Sequence, residues 1–359
     1  MAVMTRRIRR EFTGFLWALV MLAVWAVPAG AGEGKWISLA PFPEPGEELA
    51  GAGAGGKLYV FLGIKPVWRP MGLVYEYDPA TNAWTKKKPM PLASHHTAVT
   101  EMNGKIYLFG GFVLPESGPP AWVPIGDSWE YDPASDSWRA LAPMPTKRGA
   151  ASAAAANGKL YVIGGGGPFP RDPNQSIHPA RAHRSLGTVE EYDPATNTWR
   201  ERSPMPTPRN HAAVGAVKGK VYVIGGRLGA AFITAFPGNT DLVQEYDPAT
   251  DAWASKAPMP TARSAVAWAV LNDKIYVGGG EVQTQEYLAT FRAFEAYDPA
   301  TNTWERLPRM PVPRHGLAGG AVGNRIHMVS GDVQSSIVPR PPNSEFHTGQ
   351  HDAFEVPSR

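Results

Sequence analysis

One short phrase is written five times along this chain: VYEYDPATNAW, SWEYDPASDSW, VEEYDPATNTW, VQEYDPATDAW and FEAYDPATNTW. Its tyrosines are Tyr77, Tyr131, Tyr192, Tyr246 and Tyr297, so successive copies stand 54, 61, 54 and 51 residues apart. A period near fifty is the mark of a propeller or another repeat array, in which each unit is one supersecondary motif that must stack on its neighbours to bury a core. In the phrase itself, Asp-Pro takes the first places of a tight turn. Proline presets φ and the carboxylate can accept a nearby backbone N–H. The flanks alternate as half-buried strands do, and each copy therefore reads strand, turn, strand.

Between the copies lie six hairpin phrases, GGKLYVFLG, NGKIYLFGG, NGKLYVIGG, KGKVYVIGG, NDKIYVGGG and GNRIHMVSG. Asn-Gly before an apolar run suits a two-residue hairpin turn. Before each hairpin comes a run of small residues, such as ASAAAANG or GLAGGAVG, as expected where strands crowd a common axis. Each unit thus holds four strands. The combination of PMPxxR, a small-residue strand, YVIGG and YDPxTNxW resembles the Kelch motif, and the resemblance runs from Trp36 to the end of the chain. It implies an all-β fold, a Kelch β-propeller with four antiparallel strands per blade.

Five units are complete, whereas the sixth has a hairpin at Arg325 to Gly331, a third strand in HDAFEV and no tryptophan strand. KWISLAPFP near the N-terminus matches TWERLPRMP, so Trp36 supplies the outer strand of the last blade. That gives six blades, with the N-terminal strand closing the ring. Residues 32–359 form this one propeller domain.

Residues 1–31 are a different kind of sequence. Arg6, Arg7, Arg9 and Arg10 precede an apolar run, GFLWALVMLAVWAV, and Ala29-Gly30-Ala31 has the small-residue form of a cleavage site. This reads as an export signal, which places the mature protein in the periplasm or outside the cell. The alternative, a retained anchor, needs about 20 apolar residues. Arg9-Arg10-Glu11-Phe12 is a partial match to a twin-arginine signal. Without the leader's four arginines and Glu11, the 35 basic and 32 acidic side chains fall to 31 of each. The basic balance belongs to the leader, which removes the case for nucleic-acid binding. The chain has no cysteine, so disulfides and thiolate metal sites are excluded. So is the galactose oxidase type of radical chemistry, whose Kelch-like resemblance would require a cysteine cross-linked to tyrosine. Nor is there a phosphate-binding glycine loop, a GxSxG elbow, or the Glu, Asp and His triplet of the plant specifier proteins, and no cofactor is assigned.

With strands running from the axis outward, the PMPxxR loops and the loops after YVIGG share one face. That face varies between units and is where recognition is expected. At the arginine position stand Gly46, Ser94, Arg148, Arg209, Arg263 and Arg314, followed by Glu47-Glu48, His95-His96, Asn210-His211 and His315. The four arginines are expected at the channel mouth, where they would fork onto a carboxylate or sugar acid. In the ordinary Kelch pattern, by contrast, this arginine only hydrogen-bonds loop carbonyls. His96, His211 and His315 fall on alternate blades, but spacing alone assigns no metal. The loops add Trp68, Arg69, Trp122, Phe169, Arg171, His178, Arg181, His183, Arg184, Arg227, Phe232 and Phe236, aromatics and arginines suited to stacking on a sugar or anchoring a peptide or, alternatively, to packing down as loop cores. His347 and His351, four apart across Gly349, do not form a helical metal pair.

Two functions fit. The first is a noncatalytic, monomeric scaffold recognising an extracytoplasmic protein, peptide or glycan. The second is an enzyme acting on a sugar or sugar acid, a mutarotase, isomerase or lyase, with Glu47 or Glu48 and His96 as a proton-transfer pair. Fold does not choose between them.

Overall fold

The computed structural model describes residues 34–65, 69–172, 175–178, 183–229, 238–284, 288–335 and 346–357. The expected export signal, residues 1–31, lies outside them. Six four-stranded antiparallel sheets are arranged as blades. Their innermost strands are Glu47–Ala54, Ala98–Met102, Ser152–Ala156, Ala213–Val217, Ala267–Leu271 and Ala318–Val322, and each touches its neighbours around a closed ring. Small residues are required there by space. A Cβ on Gly51 would come within 2.4 Å of the Gly319 carbonyl oxygen, and one on Gly53 within 2.1 Å of that of Ala321. Among the described residues no helix is long and apolar enough to cross a membrane.

The fivefold phrase is a bolt between blades. In the second blade Asp132 Oδ1 accepts from Ala134 N at 2.9 Å, fixing the turn, and Tyr131 donates to Asp136 at 2.7 Å. Asp136 also accepts from the backbone of Lys88 at 3.0 Å, and Trp138 Nε1 donates to the Lys88 carbonyl at 3.1 Å. Lys88 belongs to the segment leaving the preceding blade. The same set recurs with Asn197, Ala142 and Trp199, with Asp251, Ser203 and Trp253, and with Asn302, Ala257 and Trp304. One acceptor side chain and one indole thus satisfy an inter-blade strand end that would otherwise have lost its pairing.

The sixth blade closes as the sequence implies. Lys35–Ser38 pairs with His351–Glu355, with Trp36 opposite Phe354, and Trp36 Nε1 donates to the Pro308 carbonyl at 2.8 Å in place of the missing repeat. Behind this seam His327 and His351 are buried together, with Nδ1 of the first 2.9 Å from Nε2 of the second. Burial holds His327 down to about 4 and His351 to about 3, against an ordinary value of 6.5. The unfolded chain therefore takes up protons first, so their contribution is complete above about pH 6.5 and is lost as pH falls toward those values. Urea melts at pH 7.5, 6 and 5 are expected to show it, at about 1.4 kcal/mol per histidine per pH unit below 6.5. His327→Gln should flatten that slope by about one proton's worth; an unchanged slope refutes the assignment.

Candidate functional site

The position two residues after each arginine site is the same in all six blades. Glu48, His96, Ala150, His211, Ala265 and Gly316 all have φ between 52° and 58°. They are laced together by backbone bonds. Ala150 N donates to His96 O, His211 N to Ala150 O, Ala265 N to His211 O, Gly316 N to Ala265 O, and Leu49 N to Gly316 O, at 2.8 to 3.1 Å. This ring is the rim of the channel. A left-handed φ disfavours side chains beyond Gly and Asn, at roughly 1 kcal/mol each. Five of the six blades nevertheless place a side chain there, and three of these, Glu48, His96 and His211, are polar. Below the rim the channel is lined by apolar side chains, among them Leu62, Val99, Val266, Trp268 and Leu317.

A second layer comes from the residue that follows each hairpin's closing glycines. Arg227 pairs in the backbone with Asn210, Glu281 with Ser264, and Asp332 with His315. Arg227 Nη1 donates to Glu281 Oε1 at 2.8 Å, and its Nη2 donates to His211 Nε2 at 2.8 Å. His211 Nδ1–H then donates to Asn210 Oδ1 at 2.5 Å. Glu48 Oε2 lies 3.2 Å from His96 Nε2, and the His96 and His211 rings meet edge to face at 4.9 Å. His315 sits among carboxylates, Nδ1 at 3.4 Å from Glu281 and Nε2 at 3.7 Å from Glu47.

The electrostatics follow from this crowding. Loss of water pushes the Glu48 carboxyl up to about 8, with His315 opposing and Glu47 and Glu281 adding to the rise. Burial drives His96 and His211 well below the usual histidine range, helped at His96 by His95 and at His211 by the Arg227 guanidinium. For His315 burial works against charge, but Glu281, Glu47, Glu48 and Asp332 outweigh it and its pKa is raised.

The structure brings Glu47, Glu48, His96, His211 and His315, all named from the sequence, together at one mouth with Glu281 and Asp332, which the sequence reading did not name. The signal was available in GGGE and VSGD, where the residue after the glycines varies while everything before it repeats. The four arginines need correction. Arg148, Arg209, Arg263 and Arg314 are 0 or 1% exposed, folded back into their own blades away from the mouth. Arg148 donates to Glu190 Oε2 at 2.5 Å and to the Thr146 and Val162 carbonyls; Arg263 repeats this with Glu295, Thr261 and Val277. Arg314 uses Asp352 at 2.8 Å. The Nη groups of Arg148, Arg263 and Arg314 donate into the fold, as in the ordinary pattern of the repeat, while each Nε is buried without a partner among the described residues.

Arg209 differs. It donates to the Val223 carbonyl at 3.2 Å, but Gln244 occupies the strand position that Glu190 and Glu295 hold in the neighbouring blades. Burial alone lowers Arg209 to about 10. Gln244→Glu supplies the missing counter-ion and is expected to stabilise the chain by roughly 1–3 kcal/mol. A melting temperature that does not rise rejects this reading.

Trp122 also departs from expectation. It is 8% exposed and packs on Phe112, His95 and His96 at 5.4, 5.3 and 4.7 Å between ring centres, a loop core roofing the second blade rather than an open platform. Phe169 is exposed, as are Arg69, Arg171 and Arg184, while His178 and His183 are half-buried. Trp68, Arg181, Phe232 and Phe236 lie outside the described residues.

Comparison with known proteins agrees with the architecture. Residues 36–226 match the KLHDC2/KLHL20/DRC7 Kelch-repeats domain, and residues 208–260 and 262–311 match the Kelch motif. Kelch-like protein terF of Aspergillus terreus is 31% identical over 90% of this chain and 70% of its own length. Kelch-like protein 25 of Xenopus tropicalis is 30% identical over 72% of the chain, and beta-scruin of Limulus polyphemus 28% over 79%, but the chain spans only 40% and 30% of those proteins. The solved structure of YjhT superposes with a TM-score of 0.68 at 17% identity, covering 87% of this chain and 95% of that one, a likeness of fold. With repeats, blades and relatives in agreement, the chain belongs to the Kelch-repeat family of β-propellers.

Proposed function

We propose that the chain is an exported, noncatalytic recognition propeller that binds an extracytoplasmic protein, peptide or glycan at the channel mouth. One observation carries this reading: of six equivalent rim positions, three carry polar side chains, Glu48, His96 and His211, where the other blades hold Ala150, Ala265 and Gly316. Polar side chains gathered on one rim of a rigid ring, beside Arg227, are a reason to place recognition there. Membership of the Kelch family supports a binding role. Because the four repeat arginines are buried, acceptors prevail at the mouth, and a ligand bearing hydroxyl or amine donors suits it better than a sugar acid.

A thermal-shift screen against neutral glycans, sugar acids, basic peptides and acidic peptides tests this, followed by titration of each hit against Glu48→Gln and His211→Asn. Both groups are uncharged near neutral pH, so loss of a neutral hydrogen bond predicts about two- to tenfold weaker binding. A hit bound equally by both variants places recognition elsewhere. The approach of Glu48 to His96 at 3.2 Å supports a second reading, proton transfer on a sugar. Anomer interconversion followed by NMR, faster than buffer and abolished in Glu48→Gln, selects it. Export predicts a new N-terminus near Gly32 on protein recovered outside the cytoplasm; Met1 on membrane-bound protein refutes it.

A further inference from the structure

We propose that Glu47, Asp332 and His347 form a binding site for one divalent first-row transition cation, held across the seam between the first and sixth blades. The three residues come from different segments, and their backbones are fixed independently of any ion. Gly331 N donates to Gly46 O at 3.0 Å, tying the residue before Glu47 to the residue before Asp332. Asp332 and His347 face each other in a backbone bridge flanked by Val333 N to Phe346 O and Thr348 N to Gly331 O.

The side chains then converge. His347 Nε2 stands 3.7 Å from Glu47 Oε1 and 3.8 Å from Asp332 Oδ2. Those separations are too long for hydrogen bonds. They match the spacing of neighbouring ligand atoms around one ion, since atoms about 2.0–2.2 Å from a common centre stand roughly 3–4 Å from each other. The imidazole is 8% exposed, and its Nε2 has no hydrogen-bond partner within the described residues. A buried ring nitrogen aimed between two carboxylates is what a metal ligand presents, and it is costly otherwise. Charge points the same way. Glu47, Glu48, Glu281 and Asp332 gather around His315 and His347, four carboxyl groups faced by the Arg227 guanidinium and by His315, whose charged form they favour.

Two other His and Glu clusters on this rim suit a cation less well. His96 and His211 stand with Glu48, but the Arg227 guanidinium already donates to His211 Nε2, and His315 stands with Glu47 and Glu48, but its Nε2 already donates to the Gln334 carbonyl at 3.3 Å. One imidazole and two carboxylates favour Zn²⁺, Mn²⁺ or Fe²⁺ over a soft ion. A cation bound there would bridge the two blades that bring the N- and C-terminal parts of the ring together. This inference does not rest on the recognition reading and stands or falls separately from it.

The test uses the full chain, stripped by chelator and titrated with Zn²⁺, then with Co²⁺ as a spectroscopic probe. One ion per chain is expected, with a raised melting temperature and a Co²⁺ visible spectrum showing nitrogen and oxygen ligation. Outer-shell changes alone cost about 10–100-fold in metal affinity, so removing a direct ligand by His347→Gln or Glu47→Gln should cost about 100-fold or more. The metal-free variants should melt within a few degrees of the metal-free wild type. Absence of stoichiometric binding at millimolar Zn²⁺ overturns the proposal. So does binding that survives both variants, or that disappears in His96→Asn or His211→Asn instead.

Discussion

Replacing Arg263 by alanine is expected to cost about 3–5 kcal/mol of folding stability, the range for breaking one side of a buried ion pair. Its guanidinium is fully enclosed and donates to Glu295 at 2.5 Å and to the carbonyls of Thr261 and Val277 at 3.1 and 2.9 Å. Alanine leaves the Glu295 carboxylate without its counter-ion and two carbonyls without their donor, in a space that water does not reach. The loss exceeds what a pair of matched apolar residues would show, because the penalty is for the stranded partner. Denaturant unfolding of Arg263→Ala and of Arg263→Ala with Glu295→Ala measures it. The double variant should recover part of the loss, since it removes the uncompensated charge. A single-variant loss under about 0.5 kcal/mol, the size expected of a solvent-facing loop charge, would return the arginine to the channel mouth.

That contrast marks how far the sequence could be read. The repeat phrase determined blade number, strand order and the closing role of Trp36, because each copy carries its own turn and its own bolt to the preceding blade. The rim residues Glu48, His96 and His211 were legible for the same reason, since a position in the repeat is a position on the ring. Direction was not legible. Arg263 and Glu48 are both reached by counting from a proline, but the arginine side chain turns back toward the carboxylate of its own third strand, and nothing in the spacing records that turn. Glu281 and Asp332 escaped notice for another reason. Each pairs with a residue about seventeen positions earlier, so it becomes visible only when the loop after the glycines is laid beside the loop after the arginine. His347 was weighed against His351 along the chain, whereas its partners, Glu47 and Asp332, come from across the seam.

The seam also carries the largest effect expected of a deletion. A chain beginning at Gly46 loses the outer strand of the sixth blade together with Trp36 and Phe42. Trp36 packs on Phe294 and Phe354 at 4.8 and 5.4 Å between ring centres, and Phe42, 2% exposed, packs on Tyr75 and Trp84 at 5.3 and 5.0 Å. The segment between them supplies the Ala40 carbonyl to Trp84 Nε1, and its own N–H groups at Leu39 and Phe42 pair with His351 and Gly349. Removing a large buried ring costs about 3–5 kcal/mol, so one core ring and one half-buried ring together remove roughly 5 kcal/mol or more. Natural domains hold about 5–15 kcal/mol in total. The shortened chain is therefore expected to be largely unfolded or, where it folds, to expose His351–Glu355 as an unpaired edge that recruits other chains. Melting temperature and size-exclusion behaviour read the two outcomes, and a synthetic peptide of residues 34–45 added in trans should restore a monomeric, higher-melting species by refilling the strand. Equal melting temperatures for the shortened and intact chains, both monomeric, would mean that the ring is closed by something other than this strand.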